Sequence, residues 1–169
     1  WGKRFASKSE SYAGRALDLA LTSPRGQVQA RCLMARRNLV LFRTSQDRKA
    51  LADAQVNARK AQTHADAIIF PEGKAEAKII LAEALFHEGK NSDEEAIRIL
   101  QSLVDNPEAL VGTVAHLHLA KIFARSGDLE RAEQEIRTIR STRPQHGWLI
   151  AELDELEQKL QLEDGLIRI

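Results

Sequence analysis

Four prolines divide the chain, and no other feature constrains its fold as strongly. Pro24, Pro71, Pro107 and Pro144 stand 47, 36 and 37 residues apart. A proline inside a helix removes one hydrogen bond and clashes with the preceding turn, whereas the first helical position accepts it. Near-even spacing therefore marks the joints of a repeat of about 36 residues, the size range of stacked supersecondary units. Turn or capping residues accompany each joint: Ser23-Pro24, Pro71-Glu72-Gly73, Asn106-Pro107-Glu108 and Arg143-Pro144-Gln145.

Between the joints the apolar period is helical. Val28, Cys32, Ala35, Leu39 and Phe42 step by 4, 3, 4 and 3, the stripe of a packed helix rather than the alternation of a strand. Breaks at Thr44–Asp47, Gly89–Ser92 and Ser126–Asp128 split each unit into helix, turn, helix. Gly89 and Gly127 fall where a helix end uses a left-handed residue, and Ser92 with Glu95 reads as a capping box. The pattern predicts an all-α chain of about eight helices, near 9–22, 26–44, 47–68, 73–88, 92–105, 108–125, 128–141 and 145–162.

Within Thr113 to Pro144, the residues Leu119-Ala120, Phe123, Gly127, Ala132, Ile136, Ile139 and Pro144 stand at fixed offsets. They resemble the tetratricopeptide repeat, whose small residues let helix axes approach while large ones fill the groove between them. The preceding unit is similar through Leu81-Ala82, Leu85, Gly89, Ala96, Leu100, Leu103 and Pro107, with two extra residues in its turn. The first unit is degenerate. Aligned without a gap, Phe42–Ala50 matches Ala124–Ala132, which puts Ser45 opposite Gly127 and Arg37-Asn38 opposite the large-small pair. Its second helix is about two and a half turns longer than the later ones and rich in alanine. The resemblance implies an antiparallel helix-hairpin solenoid, a tetratricopeptide-like superhelix with hairpins at 26–70, 71–106 and 107–144.

Both ends extend that reading. Ala13 precedes Pro24 by 11 residues, as Ala96 precedes Pro107, so 1–25 reads as the end of an upstream half-repeat and the chain as part of a longer protein. Segment 145–169 carries Leu149, Leu153, Leu156 and Leu160 among acidic residues. It reads as a capping helix with a polar outer face, a short dimerising coiled coil being the alternative.

Enzymatic and metal chemistry find no support in the sequence. His116 and His118 lie two apart and point to opposite sides of a helix, and His64, His87 and His146 lack a ligand partner one turn away. Cys32 sits on an apolar stripe, as a small buried hydrophobe does. No phosphate-binding Gly-rich loop, nucleophile elbow or zinc-protease helix motif occurs. The chain is expected to be no enzyme and to hold neither cofactor nor metal.

Charge is more informative. The formal net charge is +1, yet residues 1–65 carry 13 Lys and Arg against 4 Asp and Glu, while 66–169 carry 12 against 20. The basic portion includes Arg31, Arg36, Arg37, Arg43, Arg48, Lys49, Arg59 and Lys60. Such asymmetry steers charged partners. An acidic protein could dock on the basic half, or copies could assemble through oppositely charged ends. Nucleic acid is not the expected partner, because the basic half has few aromatics for stacking and no known nucleic-acid motif. No run is apolar and long enough for a membrane helix. A single cysteine favours a cytoplasmic or other reducing compartment.

The resemblance also implies where a partner sits, since first helices of such hairpins line a concave groove. The implied groove positions are Cys32, Ala35, Leu39, Phe42 and Arg43, then Glu76, Ile79, Glu83, Phe86 and His87, then Val114, Leu117, Lys121, Ala124 and Arg125. This mixture suits an extended peptide or an amphipathic helix, with Phe86 as anchor. The expected function is a protein-binding scaffold or adaptor in complex assembly. The alternatives are a regulatory or ligand-sensing helical-repeat domain of an enzyme or transcription regulator, and self-assembly through charged ends.

Overall fold

The computed structural model describes the backbone of residues 23–167 and the side chains of residues 23–160. The helix expected at 9–22 lies outside the described residues. Among those described there is no strand, and seven α-helices follow one another: α1 (Pro24–Ser45), α2 (Arg48–Ala67), α3 (Pro71–Glu88), α4 (Asp93–Gln101), α5 (Ala109–Ser126), α6 (Leu129–Ser141) and α7 (Gly147–Ile167). A single 3₁₀ turn, Lys90–Ser92, joins α3 to α4. Among the described residues, no helix is long and apolar enough to cross a membrane.

The prolines act as helix starts and joints. Pro24 and Pro71 occupy the first turns of α1 and α3, where the missing N–H is no loss. Pro107 and Pro144 lie in the connections before α5 and α7. Short polar side chains cap the starts of α1, α2 and α6. Ser23 Oγ accepts from Gly26 N–H at 3.3 Å. Asp47 accepts from Lys49 N–H at 2.9 Å, and Asp128 from Arg131 N–H at 3.2 Å. Each satisfies a donor that the helix cannot.

The chain divides into two compact units, Trp1–Ile99 and Leu100–Ile169. This division runs through α4, away from the proline joints that bound the expected hairpins. In the first unit α1, α2 and α3 pack consecutively. Only two residues join α1 to α2, so the pair is antiparallel. Helices α2 and α3 are antiparallel as well, because Gln55 meets Glu88 while Asp66 meets Lys74. Helix α2 packs against both α1 and α3 and carries an alanine stripe, Ala54, Ala58, Ala61 and Ala65, all buried. Side chains this small let helix axes approach closely, and alanine costs no side-chain entropy on burial. In the second unit α5 and α6 form an antiparallel pair, with His116 facing Glu135 and Phe123 facing Arg131. Leu149, Leu153, Leu156 and Leu160 of α7 are buried.

Four local expectations are corrected. Helix α4 ends at Gln101 rather than 105, since Leu103 N–H turns back to Leu100 O and Asn106 N–H to Leu103 O, three residues instead of four. The residue before Pro107 also resists the helical region. The capping box is not formed: Ser92 Oγ donates to Glu88 at 2.7 Å and Glu95 pairs with Arg59 at 2.8 Å, because the 3₁₀ turn already holds Ser92. Gly89 has positive φ but extended ψ (124°, −177°), whereas Gly127 is left-handed as expected (84°, 9°).

The fourth correction shifts the first unit by one residue. Its left-handed cap is Gln46 (φ 55°, ψ 26°), not Ser45, because α1 runs one residue further than the gapless alignment allows. Phe42 therefore stands four residues before the cap, as Phe123 stands four before Gly127. Both rings are buried, at 5% and 4% exposure.

Candidate functional site

Helices α1 and α3 run parallel in a fixed register. Arg36 Nε lies 3.2 Å from Glu76 Oε1, and Arg43 Nη1 lies 3.2 Å from Glu83 Oε1. Both pairs are 40 residues apart, and seven residues separate one pair from the next. Seven residues are about two helical turns, so both pairs recur on one seam. These parallel helices touch each other and both pack on α2, which leaves one lengthwise strip of α1 exposed. Of the first-unit groove residues expected, only Arg43 lies on this strip, while Cys32, Ala35, Leu39 and Phe42 are buried.

The expected groove residues separate into two groups. Leu39, Phe42, Ile79 and Leu117 are buried and offer almost no surface to a partner. Phe42 is a core residue rather than a lining one, for the reason of register given above. The polar positions remain at the surface but are paired within the chain. Arg43 is bound to Glu83 and Glu76 to Arg36. In the second unit Lys121 is bound to Glu152 of α7 and Arg125 is half-buried. Phe86 and His87 are half-buried, and the His87 ring meets Phe42 at a tilt and Phe86 edge-on, with ring centroids 5.5 Å apart in each case.

Two residues were missed. Leu33 and Val40 on α1 are 49% and 50% exposed, large aliphatic side chains in line with Arg36 and Arg43. Once the units are aligned on their caps, Leu33, Arg36, Val40 and Arg43 correspond to Val114, Leu117, Lys121 and Ala124. The signal was available, because matching Phe42 with Phe123 instead of Ala124 produces this register directly.

The basic residues do not share one surface. Arg31 and Arg36 stand five positions apart on α1 and point about 140° from each other. Arg31 donates to Asn57 and Arg37 to the buried Asn38. Arg48 lies over the Phe42 ring at 5.8 Å and Arg59 pairs with Glu95. Lys49 and Lys60 are exposed on α2. Much of the basic surplus is thus committed to lateral contacts.

No protein-family model matches this chain, and neither a curated protein nor a solved structure is significantly similar to it. The reading of the site therefore rests on its own chemistry. Cys32 lies on the buried side of α1, and its thiol is pushed up to about 12 by burial first and then by the Glu76 carboxylate, with Arg36 opposing. A thiol held protonated is a poor nucleophile and a poor metal ligand. Among the described residues no three His, Cys, Asp or Glu side chains gather where a metal ion would bind. What the α1 strip offers is apolar surface framed by guanidinium–carboxylate pairs.

Proposed function

We propose that this chain is a protein-binding scaffold of tetratricopeptide-like hairpins, holding an amphipathic helix or peptide along the α1–α3 strip. The observation that carries the reading is the exposure of Leu33 and Val40, one heptad apart on a single helix face. Exposed aliphatic residues scattered singly need no explanation, but a lengthwise pair repeats the spacing at which a bound helix presents its own anchors. The pairs Arg36–Glu76 and Arg43–Glu83 border that apolar line. They supply a polar rim that favours correct register over raw affinity. Phe86, with His87 against its edge, is the aromatic side chain near the end of the strip.

The role needs no chemistry from the chain, only a preformed surface. A photo-cross-linking residue at position 40, compared with one at the exposed Glu130 of α6, tests it in lysate of the source cells. The expected result is a discrete set of adducts from position 40 that is absent from position 130 and lost on Phe86→Ala. Identical adducts from both positions overturn the reading.

A further inference from the structure

Ala30 is buried on a side of α1 that faces neither α2 nor α3. Fully buried Ala35 marks the side on which α1 packs against those two helices. Ala30 stands five residues earlier and points about 140° away from Ala35. Its exposure is nonetheless 4%. Met34, one turn further on, is half-buried beside it. Leu33 and Arg36 are exposed, so this covered side is distinct from the outer strip.

Polar atoms along the adjoining seam point the same way. Arg31 reaches Asn57 of α2 through Nη1, yet its Nε is buried with no hydrogen-bond partner. His64 stands seven residues after Asn57, on the same side of α2, and its Nδ1 is buried and unpaired as well. Buried polar atoms in folded chains are nearly always paired, so a further element with polar groups of its own belongs over this seam.

We propose that residues 9–22 are that element, folded back along α1 as an antiparallel helix with Leu17 over Ala30. The segment runs directly into Ser23, the cap of α1, and so short a connection makes helices antiparallel neighbours. Its Ala13, Leu17, Ala20 and Leu21 recur at the spacing of one helix face. Its 14 residues span about 21 Å as a helix, enough to run from Gln27 past Met34. A leucine laid over an alanine fills the space that the small side chain leaves. Ser9, Ser11, Asp18 and Thr22 bring the hydrogen-bonding groups that the seam lacks. Docked in this way, the segment closes one side of α1 to any partner and leaves the strip of Leu33 and Val40 open. The inference is independent of what occupies that strip.

The test is thiol labelling of the full chain in a Cys32→Ala background, with one cysteine introduced as Ala30→Cys or as Leu33→Cys. Circular dichroism verifies that helix content is retained in every variant. Position 30 should react about tenfold or more slowly than position 33, since its exposure needs a local opening. Adding Leu17→Asp should raise the rate at position 30 to that at position 33 and leave position 33 unchanged. Adding Leu19→Asp instead, two residues on and about 160° round the segment, should leave position 30 protected. Equal rates at positions 30 and 33 before any change in the segment overturn the proposal. Protection of position 30 that survives Leu17→Asp, or that Leu19→Asp removes, overturns it equally. None of these results touches the scaffold reading, which fails only if position 40 cross-links no differently from position 130.

Discussion

Arg43 on α1 and Glu83 on α3 meet at 3.2 Å, and the same 40-residue offset joins Arg36 to Glu76 two turns earlier. The repetition fixes the axial register of two helices that do not follow one another in the chain. Arg43 is 54% exposed and Glu83 17%, so solvent screens the pair. A double-mutant cycle with Arg43→Ala and Glu83→Ala should give a coupling of about 0.2–1 kcal/mol, shrinking in 1 M salt. Exchanging the charges, Arg43→Glu with Glu83→Arg, should recover most of the loss. A coupling of zero at low salt would mean that apolar packing alone sets the register.

Phe42 and Phe86 are separated by their burial. Phe42 is a core ring under Arg48, so Phe42→Ala should destabilise the fold by about 3–5 kcal/mol in urea unfolding. Phe86 is half-buried, and Phe86→Ala should cost clearly less while reducing partner cross-linking. Equal losses would place Phe86 in the core and remove it from the candidate surface.

The alanine stripe of α2 makes a prediction about volume. Ala58 is fully buried between neighbouring helices, and Ala58→Leu should destabilise by about 1–3 kcal/mol through overpacking. Ala52, exposed on the same helix, should accept leucine with little change. Thermal or urea unfolding of the two variants side by side checks the contrast.

Cys32 gives a pH signature. Its thiol is raised from 9.0 to about 12 in the fold, chiefly by burial. The folded state then holds this proton where the unfolded chain releases it. The associated stability is fully present below pH 9 and is lost as pH rises through about 12. Native protein at pH 8 should resist a thiol-specific disulfide reagent and react rapidly once unfolded. Cys32→Ala should flatten the alkaline slope of stability. Rapid labelling of native protein would show that α1 opens locally or that the thiol is accessible.

Most helices were legible because their causes are local. Pro24 and Pro71 stop one helix and start the next by stereochemistry alone, and Asp47 and Asp128 cap through bonds spanning two or three residues. The reading failed where two local signals competed. Ser92 had the spacing of a capping box, but it is held in a 3₁₀ turn and its hydroxyl donates to Glu88 instead of accepting from a helix N–H. The one-residue error at Ser45 mattered more. A helix face rotates by about 100° per residue, so a shift of one position exchanged core for surface. It placed Phe42 in the expected groove and passed over the exposed Leu33 and Val40.

By itself the sequence determined the class of fold and the rhythm of its helices, because proline joints, caps and a 3.6-residue apolar period act within a few residues of one another. Tertiary structure alone decided which side of each helix is left over. The charge asymmetry was plain from composition, yet Arg36, Arg43 and Arg59 are held by carboxylates 36 or 40 residues away. Such partners are chosen by how helices stack, and stacking depends on the summed shape of buried side chains such as Ala54, Ala58 and Ala61 rather than on any single spacing.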